Sequence, residues 1–561
     1  MTPAFPTRSG LAAVLAAAAI LFVPSLRFPF IWDDTAVVRD NPFIHSRVPP
    51  GLFFRPAFWQ QLLPVSRFDY RPLQMLTLAA VSRIGGTDPL YYRSANLALH
   101  LLVVLLVFGL AGRLGAGKWA ALLAAAYFAF HPVHVESIIC ARNISELASA
   151  ALLLSALGIF LRPGRCSPVI ALPFFAAALL YKESALIFPP LLTILVAAAP
   201  GEPGPGKSRL RGTVPFWILA AAGGLGKILL SSGPRTAVPP PVGHLLAGAA
   251  RLLVTNLRLL VFPARLKLLY PFPRPETWPE SVWFFSLAGA VLLAAALLAS
   301  RKNRLLFSLL LCLPISLLPA LSRVGTAGRI VAEQRLYLPS FFFCLGAAIL
   351  IDRARNAAGG RRRAAIGFVA WLICLPLAGL TTGYLRDWRD ELPLWSRVTS
   401  LSPRAGVAFN NLAIALSRAG DTEGARRGWE RALEIDPRLP EAHTNLGILR
   451  GREGRWEEAA DRFREALSAD PAHHPAAIYL AQTYRRWNRN EEAADLLRAV
   501  RKQNPGHAVA ANELAIVLER LGKEEEAIEL YRAAADLNPK YAAPLRNLAA
   551  LLGERGEFER A

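Results

Sequence analysis

Cysteine is scarce in this chain, and the few cysteines show no metal-binding or disulfide pattern. Five occur among 561 residues, no two form a CxxC pair, and three lie inside apolar stretches. This argues against a disulfide framework or a structural zinc site. We interpret the cysteines as small buried hydrophobic residues.

Acidic residues are outnumbered, with 41 Asp and Glu against 63 Lys and Arg, which gives a formal net charge of +22. In a soluble protein such an excess would suggest nucleic acid as a partner. Here the basic residues lie mostly in short loops between apolar stretches, where membrane insertion requires them. We therefore expect the lipid bilayer as a partner, and no nucleic acid.

The composition does not fit a single soluble domain. Hydrophobic residues make up 53% of the chain, and the mean hydropathy is +0.33. Apolar stretches of about 20 residues, long enough to cross a hydrocarbon core of roughly 30 Å, recur from residue 11 to residue 384. No A-x-A cleavage site separates the first stretch, Leu11 to Pro24, from Ile31, so we expect a retained helix and not a signal peptide.

The apolar pattern predicts eleven membrane-spanning helices. They cover residues 11–30, 94–112, 118–131, 144–161, 168–181, 185–199, 213–231, 281–300, 304–321, 336–352 and 364–384. With the N-terminus in the cytoplasm, every cytoplasmic loop carries Arg or Lys, for example Arg113, Lys207 and Arg353. The odd count places the C-terminal part outside the cytoplasm. We expect a bacterial inner-membrane protein with this part in the periplasm, or an endoplasmic reticulum protein with it in the lumen.

Two further apolar segments are not expected to cross. Residues 243–264 carry Arg251, Asn256 and Arg258, and an ionisable group at the bilayer centre costs about 3 kcal/mol, so a half-inserted or interfacial outer helix fits better. Leu73 to Ile84 is too short to cross. It is expected to lie in the interface, within a first outer loop of residues 31–93.

A 34-residue repeat is the clearest pattern in the sequence. It is marked by prolines at 437, 471, 505 and 539, by alanines at 425, 459, 493, 527 and 561, and by small residues at 413, 447, 481, 515 and 549. Within a unit the small residue lets two antiparallel helices approach closely, and the proline ends the second helix. This spacing predicts tetratricopeptide repeats.

Together these patterns predict an all-α protein with two domains. Residues 1–390 form a polytopic membrane helix bundle, 391–406 a linker, and 407–561 a tetratricopeptide-repeat α-solenoid. The predicted units cover residues 407–440, 441–474, 475–508, 509–542 and, in part, 543–561.

Acidic and basic side chains gather in the loops assigned to the outer face. The candidate residues are Asp33, Asp34, Arg71, His131, His134, Glu136, Arg142, Lys182, Glu183, Glu333, Arg335 and Tyr337. Groups such as Lys182 and Glu333 are costly at the edge of an apolar helix unless they have a partner or a purpose. We therefore expect a polar cavity that opens outward, although the pair Asp33–Asp34 alone is also typical of a topological stop.

The motif H-P-V-H-V-E at residues 131–136 invites comparison with a metal site. Pro132 interrupts a regular helix face, and a third ligand is not assured. We expect no cofactor, and a divalent metal is not favoured. His131 and His134 are interpreted as hydrogen-bond donors to a phosphate or orienters of a carboxylate, with helix capping as the alternative.

Transfer of a sugar from a polyprenyl phosphate would need this set of groups. A carboxylate takes the proton of the acceptor hydroxyl, and cations hold the charge of the leaving phosphate. Either Asp33 or Asp34 fits the base. Lys182, Arg335 and Arg71 fit the cations. The two arginines suit a phosphate because a guanidinium can donate two parallel hydrogen bonds to it.

A resemblance adds to this interpretation. The motifs F-I-W-D-D, Y-R-P-L, H-P-V-H-V-E, R-N-I-S-E-L, Y-K-E and E-Q-R-L-Y-L-P-S, in this order and followed by the repeats, resemble the transmembrane and tetratricopeptide-repeat-containing O-mannosyltransferases. That family is similar to the protein O-mannosyltransferases and other C-type glycosyltransferases. The resemblance implies that Asp33 and Asp34 are the first-loop acidic pair, that one of them is the base, and that no metal is needed.

The resemblance also implies that the repeats are lumenal or periplasmic and that the donor is a polyprenyl-phosphate-linked sugar. The acceptor would be a protein Ser or Thr hydroxyl, and the repeats are candidates for recruiting that acceptor protein.

The residues leave other functions open. The same donor would serve transfer to an envelope glycan or lipid, and the chain would also suit a non-enzymatic scaffold that displays its repeats. A transporter is disfavoured, because the membrane half shows no internal duplication and no acid or base at the midpoint of a span.

Overall fold

The computed structural model describes residues 7–45, 49–55, 59, 70–162, 166–199, 206–230, 242–270, 291, 294, 296–321, 331–538 and 541–556. The regular elements in these ranges are all helical and include no β-strand, as the predicted all-α class requires. Contacts divide the chain into two compact units, Met1–Ile44 with Asp69–Leu394, and His45–Phe68 with Trp395–Ala561.

Up to residue 401 the chain forms mostly apolar helices. The longer ones are Thr7–Phe22, Pro72–Gly85, Pro89–Arg113, Lys118–Phe130, Ile144–Phe160, Ser167–Tyr181, Phe188–Ala198, Val214–Leu230, Val242–Val261, Arg304–Ser316, Tyr337–Ala357, Gly360–Leu372, Cys374–Asp387 and Glu391–Leu401. The shorter helical segments are Val23–Arg27, Thr35–Arg39, Pro42–His45, Pro50–Phe54, Pro132–His134, Val135–Ile139, Ala141–Asn143, Glu183–Ile187, Gly206–Arg211, Pro263–Arg265, Leu318–Leu321 and Glu333–Leu336.

Several of these helices are able to cross a membrane, so this is a multi-pass membrane protein. In the described part of the chain five are long and apolar enough, namely Arg8–Arg27, Pro89–Arg113, Ala141–Phe160, Glu333–Ala357 and Gly360–Asp387. Lys118–Phe130 and Pro132–Ile139, bent by 51°, make a sixth if they count as one span. Other expected spans are shorter helices, and the expected span 281–300 lies largely outside the described residues. Eleven crossings therefore stay a prediction.

The helices around the candidate residues break at polar positions. His131 is extended between Lys118–Phe130 and Pro132–His134, because the following proline cannot continue the first helix. Lys182 is likewise extended, and it separates Ser167–Tyr181 from Glu183–Ile187. At each break the chain changes direction and holds a polar side chain among apolar helices.

From residue 406 onward the helices come in pairs joined by short turns. They are Gly406–Arg418 with Thr422–Ile435, Pro440–Arg452 with Trp456–Ala469, His474–Arg486 with Asn490–Gln503, Ala508–Arg520 with Glu524–Leu537, and then Ala542–Glu554. The small residues of the repeat lie at close contacts. Ala413 is fully buried, and a Cβ added at Gly447 would lie 2.5 Å from the Phe463 ring. The marker residues Pro539 and Ala561 lie outside the described residues.

The turn within each repeat needs a left-handed backbone. Gly420, Gly454, Gly522 and Gly556 have φ between 72° and 88°, and Asn488 takes the same place in the third unit with φ 59°. Glycine and asparagine adopt this conformation at the lowest cost. The predicted linker, residues 391–406, is largely helical: Glu391–Leu401 forms a helix, and its Trp395 is buried.

Candidate active site

The backbone that follows the first helix is held by Arg93, which is fully buried. Its guanidinium donates to the carbonyl oxygens of Ser25, Phe28 and Pro29, and its Nε donates to the carbonyl of Ile139 at 3.0 Å. One side chain thus ties the chain that leads to Asp33 to the segment that precedes Arg142.

Two amides hold the same segment from other sides. The Nδ2 of Asn96 donates to the carbonyl oxygens of Ile138 and Cys140, at 3.1 Å and 2.9 Å. The Nε2 of Gln74 donates to the carbonyl of Arg142 at 2.7 Å. These contacts place residues 138–142 beside the turn that carries the acidic pair.

Trp32, immediately before the acidic pair, has a strained backbone. Its φ is 53°, a left-handed value that is unusual for an aromatic residue. Its N–H donates to Oε1 of Glu391 at 3.2 Å, and its carbonyl accepts from the Thr35 hydroxyl at 2.6 Å. The strain is thus held in place by contacts on both sides of the residue.

Asp34 is almost completely buried, with 1% of its surface exposed. Its Oδ2 accepts from the N–H of Ala141 at 2.8 Å, and its Oδ1 accepts from the N–H of Arg142 at 3.0 Å. Burial raises the pKa of this carboxyl above its ordinary value, and the two N–H donors oppose that rise. Both oxygens of Asp34 are occupied by the backbone.

Asp33 has a different environment, because about a third of its side chain is exposed. Its Oδ2 lies 2.6 Å from Nη1 of Arg142. The Arg142 guanidinium in turn lies 5.1 Å from the centre of the Trp32 ring. Asp33 and Arg142 therefore form a partly exposed ion pair.

Two of the three basic residues expected to bind phosphate, Arg71 and Lys182, are paired with carboxylates. Arg71 donates to both oxygens of Glu183, at 3.1 Å and 2.9 Å. Lys182 forms a largely buried ion pair with Glu146. Burial lowers the pKa of the Lys182 ammonium, and the charge of Glu146 opposes this change.

Glu333 is the centre of a second polar group and is fully buried. Its Oε1 accepts from the Tyr270 hydroxyl at 2.6 Å and from the N–H of Lys267 at 3.0 Å. Its Oε2 accepts from the Tyr384 hydroxyl at 2.8 Å. Glu333 thereby joins the chain after helix Val242–Val261 to the last apolar helix.

The two histidines are buried and engaged within the protein. The Nε2 of His131 lies 2.9 Å from the Leu260 carbonyl, and its Nδ1 accepts weakly from the N–H of Val133. The Nε2 of His134 lies 2.8 Å from Oγ of Ser340. His131 therefore also caps the helical turn that follows it, which is the alternative role considered for it.

The remaining candidates are Glu136, Tyr337 and Arg335. Glu136 is buried and accepts from the N–H of Gln334 at 3.3 Å. The Tyr337 hydroxyl lies 2.8 Å from Nδ1 of His100. Arg335 is half-buried. In the part of the chain that the structure describes, no group of three His, Cys, Asp or Glu side chains is arranged to hold a metal ion.

The structure thus gathers all the candidates except Arg335 in two groups. The acidic-pair group contains Asp33, Asp34, Arg71, Arg142, Lys182 and Glu183. The Glu333 group contains His131, His134, Glu136, Glu333 and Tyr337. Residues 131–142 connect the groups, because they contact Leu260 at one end and Asp34 at the other.

Several residues that build these groups escaped the sequence reasoning. They are Gln74, Arg93, Asn96 and Glu391. A signal existed for two of them, because Arg93, Asn96 and His100 follow the i, i+3, i+7 spacing of one helix face within an apolar span. Gln74 and Glu391 gave no such signal.

Family models support the assignment of the repeats. Three family models described as tetratricopeptide repeat match residues 452–515, 410–474 and 508–541. Among solved structures, the crystal structure of MamA is 21% identical and covers 26% of this chain and 86% of its own, with a TM-score of 0.24.

The curated relatives cover the membrane part as well. Protein O-mannosyl-transferase TMTC3 of Mus musculus is 24% identical over 464 residues, 73% of this chain and 49% of that protein. Protein O-mannosyl-transferase F38B6.6 of Caenorhabditis elegans is 24% identical over 73% of this chain and 60% of that protein. The chain spans about half the length of the mouse relative. The matches and the repeats make this chain similar to the curated protein O-mannosyl-transferases and support a tetratricopeptide-repeat O-mannosyltransferase-like family for it.

Proposed function

We propose that this protein is a glycosyltransferase that moves a sugar, mannose or a similar hexose, from a polyprenyl phosphate to a protein Ser or Thr hydroxyl. The observation that carries the proposal is the Asp33 carboxylate, which is partly exposed, paired with Arg142 and placed directly after the strained backbone of Trp32. The names of the curated relatives support the same reaction class.

In this mechanism Asp33 is the general base. Its Oδ1 takes the proton of the acceptor hydroxyl as the hydroxyl oxygen attacks the anomeric carbon. The bond from that carbon to the phosphate oxygen breaks, and the phosphate leaves with the electron pair. A single displacement of this kind inverts the anomeric carbon.

Asp34 is a positioning residue in this proposal. Both of its oxygens accept backbone N–H groups from Ala141 and Arg142. It therefore holds the turn against the segment that supplies the Arg142 guanidinium. A buried carboxylate whose two oxygens each accept a backbone N–H is poorly placed to take a proton from a substrate.

Arg71 and Lys182 support the site through their ion pairs. Because each already faces a carboxylate, Glu183 or Glu146, we assign them to holding the loops together and to the local field at the leaving phosphate. His131, His134, Glu136, Glu333, Arg335 and Tyr337 form the frame of the donor side of the site.

The proposed orientation follows from eleven crossings with a cytoplasmic N-terminus. It places Asp33 and the repeats on the same, non-cytoplasmic side of the membrane. Tetratricopeptide arrays bind peptides on a concave surface, so we assign the repeats to recruiting the acceptor protein.

The test compares Asp33→Asn with wild-type chain in lipid nanodiscs, using a polyprenyl-phosphate mannose donor and a Ser/Thr-rich peptide acceptor. We expect turnover to fall by about 10²- to 10⁴-fold, the usual contribution of a general base. Asp40→Asn is the matched control, because this exposed carboxylate follows the helical segment Thr35–Arg39 and pairs with its neighbour Arg39.

Undiminished turnover of Asp33→Asn would contradict the proposal, as would an equal loss in Asp40→Asn. Incorporation of sugar into glycolipid, with none in the peptide, would move the acceptor from protein to envelope lipid.

A further inference from the structure

An arginine recurs at one fixed position of the repeat. Arg418, Arg452, Arg486 and Arg520 are spaced 34 residues apart, and each is the last residue of the first helix of its unit. All four are exposed. The fifth unit has Glu554 at this position, so the arginine row covers the first four units.

Three arginines of this row carry a charge that the surrounding protein does not neutralise. Arg452, Arg486 and Arg520 form no ion pair with a carboxylate of the residues that the structure describes. Arg486 instead lies over the ring of Trp456, 4.1 Å from its centre. Arg520 donates to the carbonyl of Arg485 at 3.3 Å. These contacts hold the guanidinium groups in place and leave their positive charge.

The acids that are next to these arginines in the sequence are engaged elsewhere. Glu453 lies 2.9 Å from Nη1 of Arg450 and 3.4 Å from Nη1 of Arg455. Glu519 accepts from the Tyr531 hydroxyl at 2.7 Å. The arginine row therefore has room for carboxylates from another molecule.

The row borders a face that is built from the first helices of the units. The Nδ2 of Asn445 donates to Oδ1 of Asn410 at 2.9 Å. The Nδ2 of Asn547 donates to Oδ1 of Asn512 at 3.1 Å. Both contacts place first helices of neighbouring units side by side. Asn445 precedes Arg452 by seven residues, which is two helical turns, so the amides and the arginines share one helix face.

The spacing of the row fits an extended peptide. Helices in contact lie about 8–10 Å apart, and an extended chain advances about 3.3 Å per residue. Every third residue of such a chain therefore reaches the arginine of the next unit. Side-chain amides suit its backbone, because each offers both a donor and an acceptor. Tyr479, 38% exposed and seven residues before Arg486, offers an aromatic ring on the same face.

We propose that the arginine row binds an extended acidic segment of the acceptor protein, with Asp or Glu at every third position. Its carboxylates pair with Arg452, Arg486 and Arg520, and its backbone lies against the amide face. This inference rests on the acceptor-recruiting role proposed above for the repeats, because it names the class of sequence that they recruit.

The experiment measures binding in the absence of the sugar donor. Full-length chain in phosphatidylcholine nanodiscs is titrated with a fluorescent peptide that has Asp at every third position and Ser or Gly elsewhere. The test variant combines Arg452→Gln, Arg486→Gln and Arg520→Gln. We expect its Kd to be about tenfold higher than that of wild type, because three exposed ion pairs are lost. The same three positions changed to Lys should keep most of the affinity.

The matched control removes the same charge from another face. It combines Arg431→Gln, Arg498→Gln and Arg532→Gln, three exposed arginines of the second helices, and it should bind as wild type. An equal loss in this control would assign the binding to net charge and overturn the inference. Wild-type affinity in the test variant also overturns it, and leaves the arginines with the helix dipole alone.

Two competitors test the identity of the partner. A peptide of the same composition with its Asp residues in one block should bind more weakly, and equal binding overturns the spacing of every third residue. A single-stranded oligonucleotide of equal charge that competes more strongly overturns the choice of a peptide. Asp33→Asn should bind the Asp peptide with wild-type Kd, so a failure of the proposed transfer chemistry is seen separately from a failure of recruitment.

Discussion

The Asp34 carboxylate accepts two backbone N–H groups from residues 141 and 142, and each buried donor left without an acceptor costs about 1–3 kcal/mol. We predict that Asp34→Ala lowers the thermal midpoint of the detergent-solubilised chain more than Asp34→Asn, which keeps one acceptor oxygen. Activity should fall in the same order. Thermal unfolding of both variants measures the first effect, and sugar transfer as a function of donor concentration, which gives the donor KM, measures the second.

Asp33→Asn supplies the contrast at the same turn. The Asp33 side chain is partly exposed and pairs with the partly exposed Arg142, so the thermal midpoint of Asp33→Asn should stay near that of wild type while turnover is lost. Equal destabilisation by both asparagine variants would contradict the division of roles between the two aspartates.

The ion pair between Lys182 and Glu146 is largely buried, with about a tenth of each side chain exposed. Removing one partner leaves an uncompensated charge, which costs about 3–5 kcal/mol in such positions. We predict that Glu146→Gln destabilises the chain strongly and that adding Lys182→Met restores much of the stability. Thermal unfolding of both single variants and of the double variant checks this, and additive losses would show that the residues do not act as a pair.

The sequence predicted which residues gather here better than it predicted how they pair. Asp33, Arg142, Arg71 and Glu183 stand out because charge is rare beside apolar helices. Their pairing was hidden, because Arg71 and Glu183 are 112 positions apart. The backbone contacts of Arg93 were hidden as well, since carbonyl partners leave no trace in side-chain patterns.

At the scale of the element, regular repeats were easier to predict than membrane helices. A 34-residue period fixes two helices and a turn at a time, and the left-handed turn residues recur at that same interval. The membrane helices have only hydropathy as a guide. The predicted spans 168–181 and 185–199 end on either side of Lys182, as the helices do, but hydropathy does not show whether helices this short cross the membrane.

His507 begins the helix Ala508–Arg520, and its Nδ1 accepts from the N–H of Ala510 at 3.2 Å. Burial lowers the pKa of this imidazole below 6.5, and the nearby His474 lowers it further. A base whose pKa is lower in the folded state contributes its full stability above the unfolded value. That contribution is lost as the pH falls below about 6.5, because the unfolded state then binds the proton more readily.

We therefore predict that hydrogen–deuterium exchange in helix Ala508–Arg520 of the full chain, corrected for intrinsic rate, speeds up by about three- to tenfold between pH 7.5 and 5.5. His507→Asn keeps a capping oxygen that does not titrate, so most of this pH dependence should disappear. A profile that stays equally steep in His507→Asn would assign the effect to other histidines, such as His473.

At the scale of the whole molecule, the proposed reaction requires that Asp33 and the repeats share one side of the membrane. The native cysteines offer a test of this topology. Cys166 is exposed in the loop expected to be cytoplasmic, whereas Cys140, Cys312, Cys344 and Cys374 are buried. We predict that a membrane-impermeant maleimide leaves Cys166 unlabelled in intact cells or sealed right-side-out vesicles, and labels it only after permeabilisation.

The matching reporters for the other side are Asp40→Cys, on the turn after Asp33, and Lys523→Cys, on an exposed turn of the repeats, each made with Cys166→Ser. Both should react fully before permeabilisation, because an odd number of crossings separates the repeats from the cytoplasmic N-terminus. Protection of Lys523→Cys alone would mean an even number of crossings. The repeats would then be cytoplasmic, out of reach of an acceptor at Asp33, and the acceptor-recruiting role assigned to them would fail even if Asp33 proved to be the base.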